Sequence, residues 1–171
     1  MYSDILTIGH STRALEAFIF LLQEDGVEWL ADVRSIPRSR HNPQFNRDAL
    51  PESLSVAGIG YSHIAGLGGF RKPRADSPNM HWKNAGFRGY ADYMQTAQFR
   101  DSLEALLGLA QEKRVAVMCA EALPWQCHRS LIADALVVRG VRVVHILAPG
   151  ESIAHALTAG ARVEDGLITY P

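Results

Sequence analysis

Apolar and polar positions alternate along the chain with periods that predict strands and helices in turn. Short apolar runs predict strands at residues 5–8, 27–33, 58–64, 115–119 and 141–147. Between the first two, Leu15, Phe18, Ile19 and Leu22 recur at the spacing of one helix face. Further helices are predicted at residues 51–57, 90–98 and 99–114, and after residue 129. Strands that alternate with helices predict βαβ units and a parallel sheet.

Length and composition suit one globular domain. The chain has 171 residues, of which 47% are apolar and 20% charged. We therefore expect residues 1–171 to form a single three-layer, Rossmann-like α/β domain, with a mostly parallel sheet of about five strands and helices on both faces. Residues 148–171 form a weakly patterned tail, in which we predict a short helix near Ile153–Leu157 and an edge strand at Leu167–Tyr170.

The charge is small overall and unevenly distributed. A net charge of −1 gives the whole molecule no general attraction to nucleic acid or membrane. Between Arg34 and Arg88, however, nine Lys and Arg residues accompany only three Asp and Glu residues. This excess predicts an electropositive mouth for an anionic ligand. The alternative interpretation is that these basic residues lie on two solvated loops.

Other sequence features bear on location and cofactors. No apolar run approaches the roughly 20 residues that span a bilayer, and the N-terminal segment MYSDILTIGH lacks the features of a signal peptide. Two cysteines eight positions apart do not form a disulfide framework, so we expect a cytoplasmic protein without a membrane partner. The glycines at 66–69 lack the dinucleotide-binding spacing, and the sequence identifies no cofactor.

The segment from Val115 to Arg139 carries the most chemistry. A buried strand ends at Cys119, a short polar turn follows, and an amphipathic helix begins near Arg129. Such a unit places side chains at the carboxyl edge of a parallel sheet, where open α/β folds bind ligands. A helix N-terminus there would lower the pKa of Cys119 and favour its reactive thiolate, although free cysteines are also common core residues. Cys127 falls on the apolar stripe of the helix, which favours a packing role.

Two other predicted strands end in polar residues at the same edge, His10 with Ser11 and Asp32 with Arg34. The catalytic candidates are therefore Cys119, Glu121, Asp32 and His10; the anion-binding candidates are Arg34, Arg38, Arg40, Arg129 and Ser11; and His128, Tyr61 and Tyr90 are candidate lining residues. For Arg129, an ion pair with Asp32 or Glu121 is the structural alternative. No residue is assigned to a metal site.

Several blocks of sequence, in a consistent order, resemble one bacterial family. They are Thr7-Ile8-Gly9-His10-Ser11; Asp32-Val33-Arg34 with Pro37, Ser39 and Arg40; Pro43-Gln44-Phe45-Asn46; Gly58-Ile59-x-Tyr61 leading to Leu67-Gly68-Gly69; and Cys119-Ala120-Glu121 with Cys127-His128-Arg129. Together they resemble the bacterial "domain of unknown function" family numbered 488, over roughly residues 5–147. The resemblance implies a compact α/β domain and leaves the reaction open.

These observations lead to one main functional hypothesis and two alternatives. The main one is a small-molecule enzyme or ligand-binding domain for a phosphate- or nucleotide-like anion, with Cys119 as a reactive thiol. The first alternative is a metal site built from Cys119, Cys127, His128 and His10, although their spacing matches no known zinc motif. The second is a nucleic-acid-binding module that uses the basic loops 34–47 and 71–88. Whether the protein is catalytic, what its substrate is and how it assembles are left open by the sequence.

Overall fold

Five parallel strands and one antiparallel edge strand form the central sheet. The computed structural model describes residues 3–171. Residues 1 and 2, which begin the N-terminal segment without signal-peptide features, lie outside this range. The strands are β1 (Ile5–Gly9), β2 (Trp29–Asp32), β3 (Gly60–His63), β4 (Val115–Cys119), β5 (Val143–Ala148) and β6 (Glu151–Ala154), in the order β3-β2-β4-β1-β5-β6. Only the β5–β6 pair is antiparallel. A separate two-stranded sheet pairs β7 (Arg162–Glu164) with β8 (Leu167–Thr169).

Helices cover both faces of the central sheet. They are α1 (Leu15–Glu24), α2 (Leu50–Val56), α3 (Ala85–Tyr93), α4 (Ala97–Glu112) and α5 (Arg129–Val138). Because successive strand residues point to opposite faces, Ala116 and Met118 of β4 pack with α1 and α2. Val117 and Cys119 pack with α3, α4 and α5 on the other face. The predicted three-layer α/β arrangement is therefore confirmed.

The connections of β1 and β4 define where a ligand would fit this fold. These strands are neighbours, with Gly9 in register with Cys119. The chain leaves β1 for α1 on one face of the sheet, but after β4 it continues into α5 on the opposite face. This divergence is a topological switch point, which opens a crevice beyond the carboxyl ends of the two strands. Since β2 lies on the other side of β4, three strand ends meet at this edge.

The tail differs from the expectation. The helix predicted near Ile153–Leu157 is wrong, because residues 151–154 form strand β6 and pair with β5. The predicted strand at Leu167–Tyr170 exists as β8, but it pairs with β7 rather than with the central sheet. The tail is anchored by polar groups: the Tyr170 hydroxyl donates to Asp134 at 2.7 Å, and the ring of His155 bonds the same carboxylate at 2.7 Å.

Candidate functional site

A cleft of about 800 Å³ opens at the switch point. Its walls come from the segments that follow β1, β2 and β4, together with the start of α3. The lining residues are His10, Ser11, Thr12, Arg34, Ser35, Ile36, Arg38, Ser39, Asn42, Gly69, Phe70, Asn84, Gly86, Phe87, Cys119, Ala120, Glu121, Gln126, Cys127 and His128. This volume is in the range of small-molecule sites. The cleft therefore has room for a metabolite-sized ligand.

One side of the cleft is built on a buried ion pair. Arg34 donates to both carboxylate oxygens of Asp32, from Nε at 2.9 Å and from Nη2 at 2.7 Å. Nη2 also donates to the carbonyl of Phe45 at 2.7 Å, and Tyr61 donates its hydroxyl to Asp32 at 2.5 Å. The Asp32 carboxylate is fully buried, so it fixes the orientation of Arg34. The guanidinium is therefore pre-oriented at the edge of the cleft.

His10 completes this side as a neutral imidazole. Its Nδ1 donates to the Ser11 carbonyl at 2.9 Å, which leaves Nε2 to accept from Nη1 of Arg34 at 3.3 Å. The ring stacks on Phe45 with centroids 4.6 Å apart. Burial lowers the pKa of His10, and the positive charge of Arg34 lowers it further. The hydrogen bond to the Ser11 carbonyl acts in the opposite direction but is outweighed. The four hydrogen bonds of the Arg34 guanidinium leave one of its five N–H groups for a ligand.

The floor between β1 and β4 requires an unusual backbone. Ser11 has a φ of +48°, a conformation that costs a non-glycine residue roughly 1–3 kcal/mol. Its N–H donates to the Ala120 carbonyl at 2.9 Å, which holds the two strand ends together. A Cβ on Gly9 would lie 1.7 Å from the Glu121 carbonyl oxygen, so only glycine fits there. This close approach brings the loop after β4 over the end of β1.

The other side of the cleft contains Cys119 and the fully buried Arg129. Arg129 donates from Nη1 to Cys119 Sγ at 3.4 Å and to the Glu121 carbonyl at 3.2 Å, and from Nη2 to the Ala122 carbonyl at 3.1 Å. Burial alone would raise the pKa of Cys119, but the neighbouring Cys127 and the charge of Arg129 act in the opposite direction, so the pKa is lowered overall. The Cys119 thiol can donate to the Glu121 carbonyl, 3.5 Å from its Sγ.

Cys127 and His128 have the opposite character. Burial, together with the neighbouring Cys119, raises the pKa of Cys127 and favours its thiol form. His128 donates from Nε2 to the Val33 carbonyl at 2.8 Å, so its Nδ1 is an acceptor 3.4 Å from Cys127 Sγ. Burial lowers the pKa of His128 to about 4. The hydrogen bond to the Val33 carbonyl raises the pKa, but its effect is smaller than that of burial. His128 is thus a neutral imidazole whose free ring nitrogen faces a thiol.

The structure brings together most of the candidates named from the sequence, but not all of them. The cleft is lined by His10, Ser11, Arg34, Arg38, Cys119, Glu121 and His128. Asp32 lies behind Arg34, Tyr61 bonds Asp32, and Tyr90 is buried with its hydroxyl on the Leu67 carbonyl. Arg40 is exposed outside the lining. Tyr61 and Tyr90, predicted as lining residues, are therefore not part of the cleft wall.

Arg129 does not line the cleft. Its guanidinium lies beneath the loop after β4, held by backbone carbonyls. The alternative ion pair with Asp32 or Glu121 is wrong. Within residues 3–171, Asp32 pairs with Arg34, and Arg129 meets Glu121 only through its main-chain carbonyl. Arg129 organises the loop and contacts Cys119, while a direct bond to a ligand is not part of its geometry.

Sequence reasoning missed one wall of the cleft. Asn84, Gly86 and Phe87 belong to the start of α3, which begins five residues before the predicted helix at Tyr90. The signal was available, since the Asn84 side chain caps the helix by accepting from the N–H groups of Gly86 and Phe87. Ile36 and Phe70 also line the cleft from loops with no periodic pattern. Their positions follow from tertiary structure alone.

The basic loops contribute fewer charges to the cleft than their composition suggests. Of the nine Lys and Arg residues, only Arg34 and Arg38 line it. Among the others, Arg74 pairs with Asp76, Arg88 donates to the carbonyls of Trp82 and Lys83, and Arg71 lies 3.6 Å from the centre of the Tyr93 ring. The positive charge of the cleft is therefore local to the end of β2.

Comparison with known proteins assigns the chain to a family. A family model described as "Domain of unknown function DUF488" matches residues 14–136. The chain belongs to the DUF488 family. The match includes α1, β2, β4 and most of α5, and therefore both the Asp32–Arg34 pair and the Cys119–Arg129 pair of this DUF488 domain. No curated protein and no solved structure matches the chain.

Two further findings concern membranes and metals. No helix within residues 3–171 is long and apolar enough to cross a membrane. In that same range, no group of three or more His, Cys, Asp and Glu side chains is placed to hold a metal ion. The four residues considered for a metal site already have protein partners: His10 and His128 donate to carbonyls, and Cys119 and Cys127 both contact Arg129.

Proposed function

We propose that the cleft binds an anionic small molecule, phosphate-like at its charged end, and that Cys119 acts on it as a thiolate. The observation that carries the proposal is that Arg34, with an N–H group left for a ligand, lines the same cleft as Cys119. A fixed cation selects and orients an anion, and a thiolate is a strong nucleophile. Recognition and reactivity are thus supplied from opposite sides of one cavity.

The polar lining supports an anion at the β2 side of the cleft. Arg38 is exposed and its guanidinium is available beside Arg34. Ser11, Thr12, Ser35 and Ser39 line the same cleft and carry hydroxyl groups. Hydroxyl and guanidinium donors are the groups that commonly bind phosphate oxygens. We therefore assign the charged end of the ligand to the space between Arg34 and Arg38.

The rest of the lining supports a ligand with an apolar part. Ile36 and Phe70 are 63% and 80% exposed, and Phe87 lies beside them on the cleft wall. Exposed aromatic and aliphatic side chains in a cleft are suited to covering a planar or apolar group. We infer an organic anion rather than a free inorganic ion as the natural ligand.

The chemical roles follow from the protonation states. Cys119 is the nucleophile of this proposal, because Arg129 and Cys127 help to lower its pKa. Glu121 is the exposed carboxylate of the lining, so it is the group placed to exchange a proton with solvent during a reaction. His10 and Asp32 position Arg34 and do not contact the reacting atoms.

Two arginines of one loop provide a matched test of anion binding. Arg38 and Arg40 are both exposed, but only Arg38 lines the cleft. We expect Arg38→Ala to weaken binding of phenyl phosphate roughly five- to tenfold, a change of about 1 kcal/mol, because it removes a cation beside the bound charge. Arg40→Ala changes the net charge equally and should leave the affinity unchanged. Binding can be followed by amide chemical shifts of Ser11 and Ala120.

The outcomes separate a specific site from general charge attraction. Equal weakening by Arg38→Ala and Arg40→Ala would assign the affinity to the overall field of the loop and contradict the site. Absence of phenyl phosphate binding at millimolar concentration would contradict the proposal directly. Inorganic phosphate should bind more weakly than phenyl phosphate if Phe70 and Phe87 contact the organic part.

A further inference from the structure

The two cysteines of the chain meet in the cleft. Cys119 and Cys127 are the only cysteines in the sequence, and both line the same cavity. Both also contact Arg129, Cys119 through Nη1 at 3.4 Å and Cys127 through the backbone N–H at 3.5 Å. Each cysteine also shifts the pKa of the other, as neighbouring side chains do. The loop between them is folded back because Arg129 holds the carbonyls of Glu121 and Ala122.

We propose that Cys119 and Cys127 form a redox-active dithiol, which a two-electron oxidant of the peroxide class converts into an intramolecular disulfide. The folded loop places both cysteines on the wall of one cleft and against one arginine, so we expect side-chain movement rather than refolding to join the two sulfurs. The proposal concerns a second activity of this edge of the sheet. It does not depend on anion binding at Arg34 and Arg38.

The environments of the two sulfurs differ in the way that the chemistry requires. The attacking sulfur must be a thiolate, and the cation of Arg129 beside Cys119 favours that form. The second sulfur must stay protonated until the first has been oxidised, and burial raises the pKa of Cys127. An attacking thiolate paired with a resolving thiol is the arrangement found in sensor cysteines.

The reaction is balanced without any group beyond the peroxide. The Cys119 thiolate attacks one peroxide oxygen and the O–O bond breaks; the sulfur is oxidised to a sulfenic acid, and the other oxygen leaves as water after taking up a proton. Cys127 then attacks the Cys119 sulfur, the S–O bond breaks, and the hydroxyl leaves as a second water. One peroxide is reduced and the two sulfurs lose two electrons between them.

His128 is placed to move the proton in the second step. Cys127 must lose its proton as it attacks, and the free Nδ1 of His128 lies 3.4 Å from Cys127 Sγ. The bond from Nε2 to the Val33 carbonyl fixes the ring so that Nδ1 faces the thiol. The proton can then pass to the departing hydroxyl of the sulfenic acid. His128 is therefore the positioning and proton-transfer residue of this centre.

Intact mass after a peroxide pulse tests the proposal. The reduced full chain is treated with equimolar hydrogen peroxide, denatured in iodoacetamide and weighed. We expect a species that has lost two hydrogen atoms, takes up no alkyl group, and regains two alkylation sites after reduction. It should be monomeric on a non-reducing gel. A protein that keeps both thiols, accumulates sulfinic acid at Cys119, or forms only disulfide-linked dimers would overturn the proposal.

Single-cysteine variants assign the two roles. Cys127→Ser should stop the reaction at a Cys119 sulfenic acid, which dimedone traps as an adduct. Cys119→Ser should leave Cys127 oxidised on the order of tenfold more slowly, because a protonated thiol is a poor nucleophile. The reverse order of reactivity would overturn the assignment of roles. Neither readout involves phenyl phosphate, so failure here and failure of the anion site are distinguishable.

Discussion

Arg34 and Arg129 both bury a guanidinium beside the cleft, but their partners differ. Arg34 binds the carboxylate of Asp32 through two N–H groups. Arg129 has no carboxylate within ion-pair distance in residues 3–171; its acceptors are two carbonyls and the sulfur of Cys119, and its Nε has no hydrogen-bond partner. A buried cation is costly unless an anion neutralises it.

The difference assigns distinct properties to the two sides of the cleft. The Asp32 carboxylate accepts two hydrogen bonds from the Arg34 guanidinium and one from Tyr61, so the Arg34 side is a fixed frame. Cys119 is an ionisable and oxidisable group, so the partner of Arg129 on the other side can change its chemical state. The two sides are thus built on the same kind of residue, and the difference lies in its partner: a carboxylate for Arg34 and a sulfur for Arg129.

The largest effect should follow from removing the Asp32 carboxylate, the partner of Arg34. Asp32→Asn leaves Arg34 buried without a charge partner, and we expect the free energy of unfolding to fall by about 3–5 kcal/mol. Urea denaturation monitored by tryptophan fluorescence measures this loss. The control is Asp76→Asn, which breaks the exposed pair with Arg74 and should cost little. Equal effects of the two substitutions would contradict a structural role for the Asp32–Arg34 pair.

A smaller effect should come from the buried histidines. Burial lowers the pKa of His128 to about 4, and the pKa of His10 is lowered as well. Between pH 6.5 and pH 4 the unfolded chain therefore binds protons that the folded chain does not, so acid should lower stability across this range. From the value for His128, we expect its share to be about 3 kcal/mol.

His128→Gln isolates that share. Glutamine is neutral at every pH and can still donate to the Val33 carbonyl from its amide nitrogen, so the variant should lose less stability on acidification than the wild type. Unfolding free energies at pH 7.5 and pH 4.5 give the comparison. His41→Gln, at an exposed position, is the control and should retain the acid sensitivity of the wild type. An unchanged pH dependence in His128→Gln would contradict a neutral buried imidazole.

Much of the fold could be predicted because local periodicity and topology agree. The run Val115–Cys119 forms a strand with those bounds, since a short, fully buried parallel strand is continuously apolar. The antiparallel strand β6 could not be predicted in the same way. Its residues are exposed throughout, so burial imposes no pattern on them. It forms because the open edge of β5 supplies backbone partners.

The candidate site was predictable only as far as strand ends define it. His10, Arg34 and Cys119 meet because β1, β4 and β2 are neighbours in a parallel sheet. The direction in which a long side chain points could not be predicted from the sequence. Arg129 follows the polar turn as Arg34 follows its strand, but the Arg129 guanidinium binds carbonyls of the folded loop and therefore lies beneath that loop. Those acceptors exist only in the tertiary structure.

The last comparison is between the two sulfurs, where the expected effect is a rate and not a stability. The charge of Arg129 helps to lower the pKa of Cys119, whereas burial raises the pKa of Cys127. We expect iodoacetamide to alkylate Cys119 severalfold faster than Cys127 at pH 7, because the thiolate is the form that reacts. Peptide mapping after brief alkylation of the native, reduced protein measures both rates.

As pH rises from 6 to 9, the alkylation rate of Cys119 should level off below the pKa of an ordinary thiol, while the alkylation rate of Cys127 should still be rising. Faster alkylation at Cys127, or parallel pH profiles, would mean that Arg129 does not favour the thiolate of Cys119.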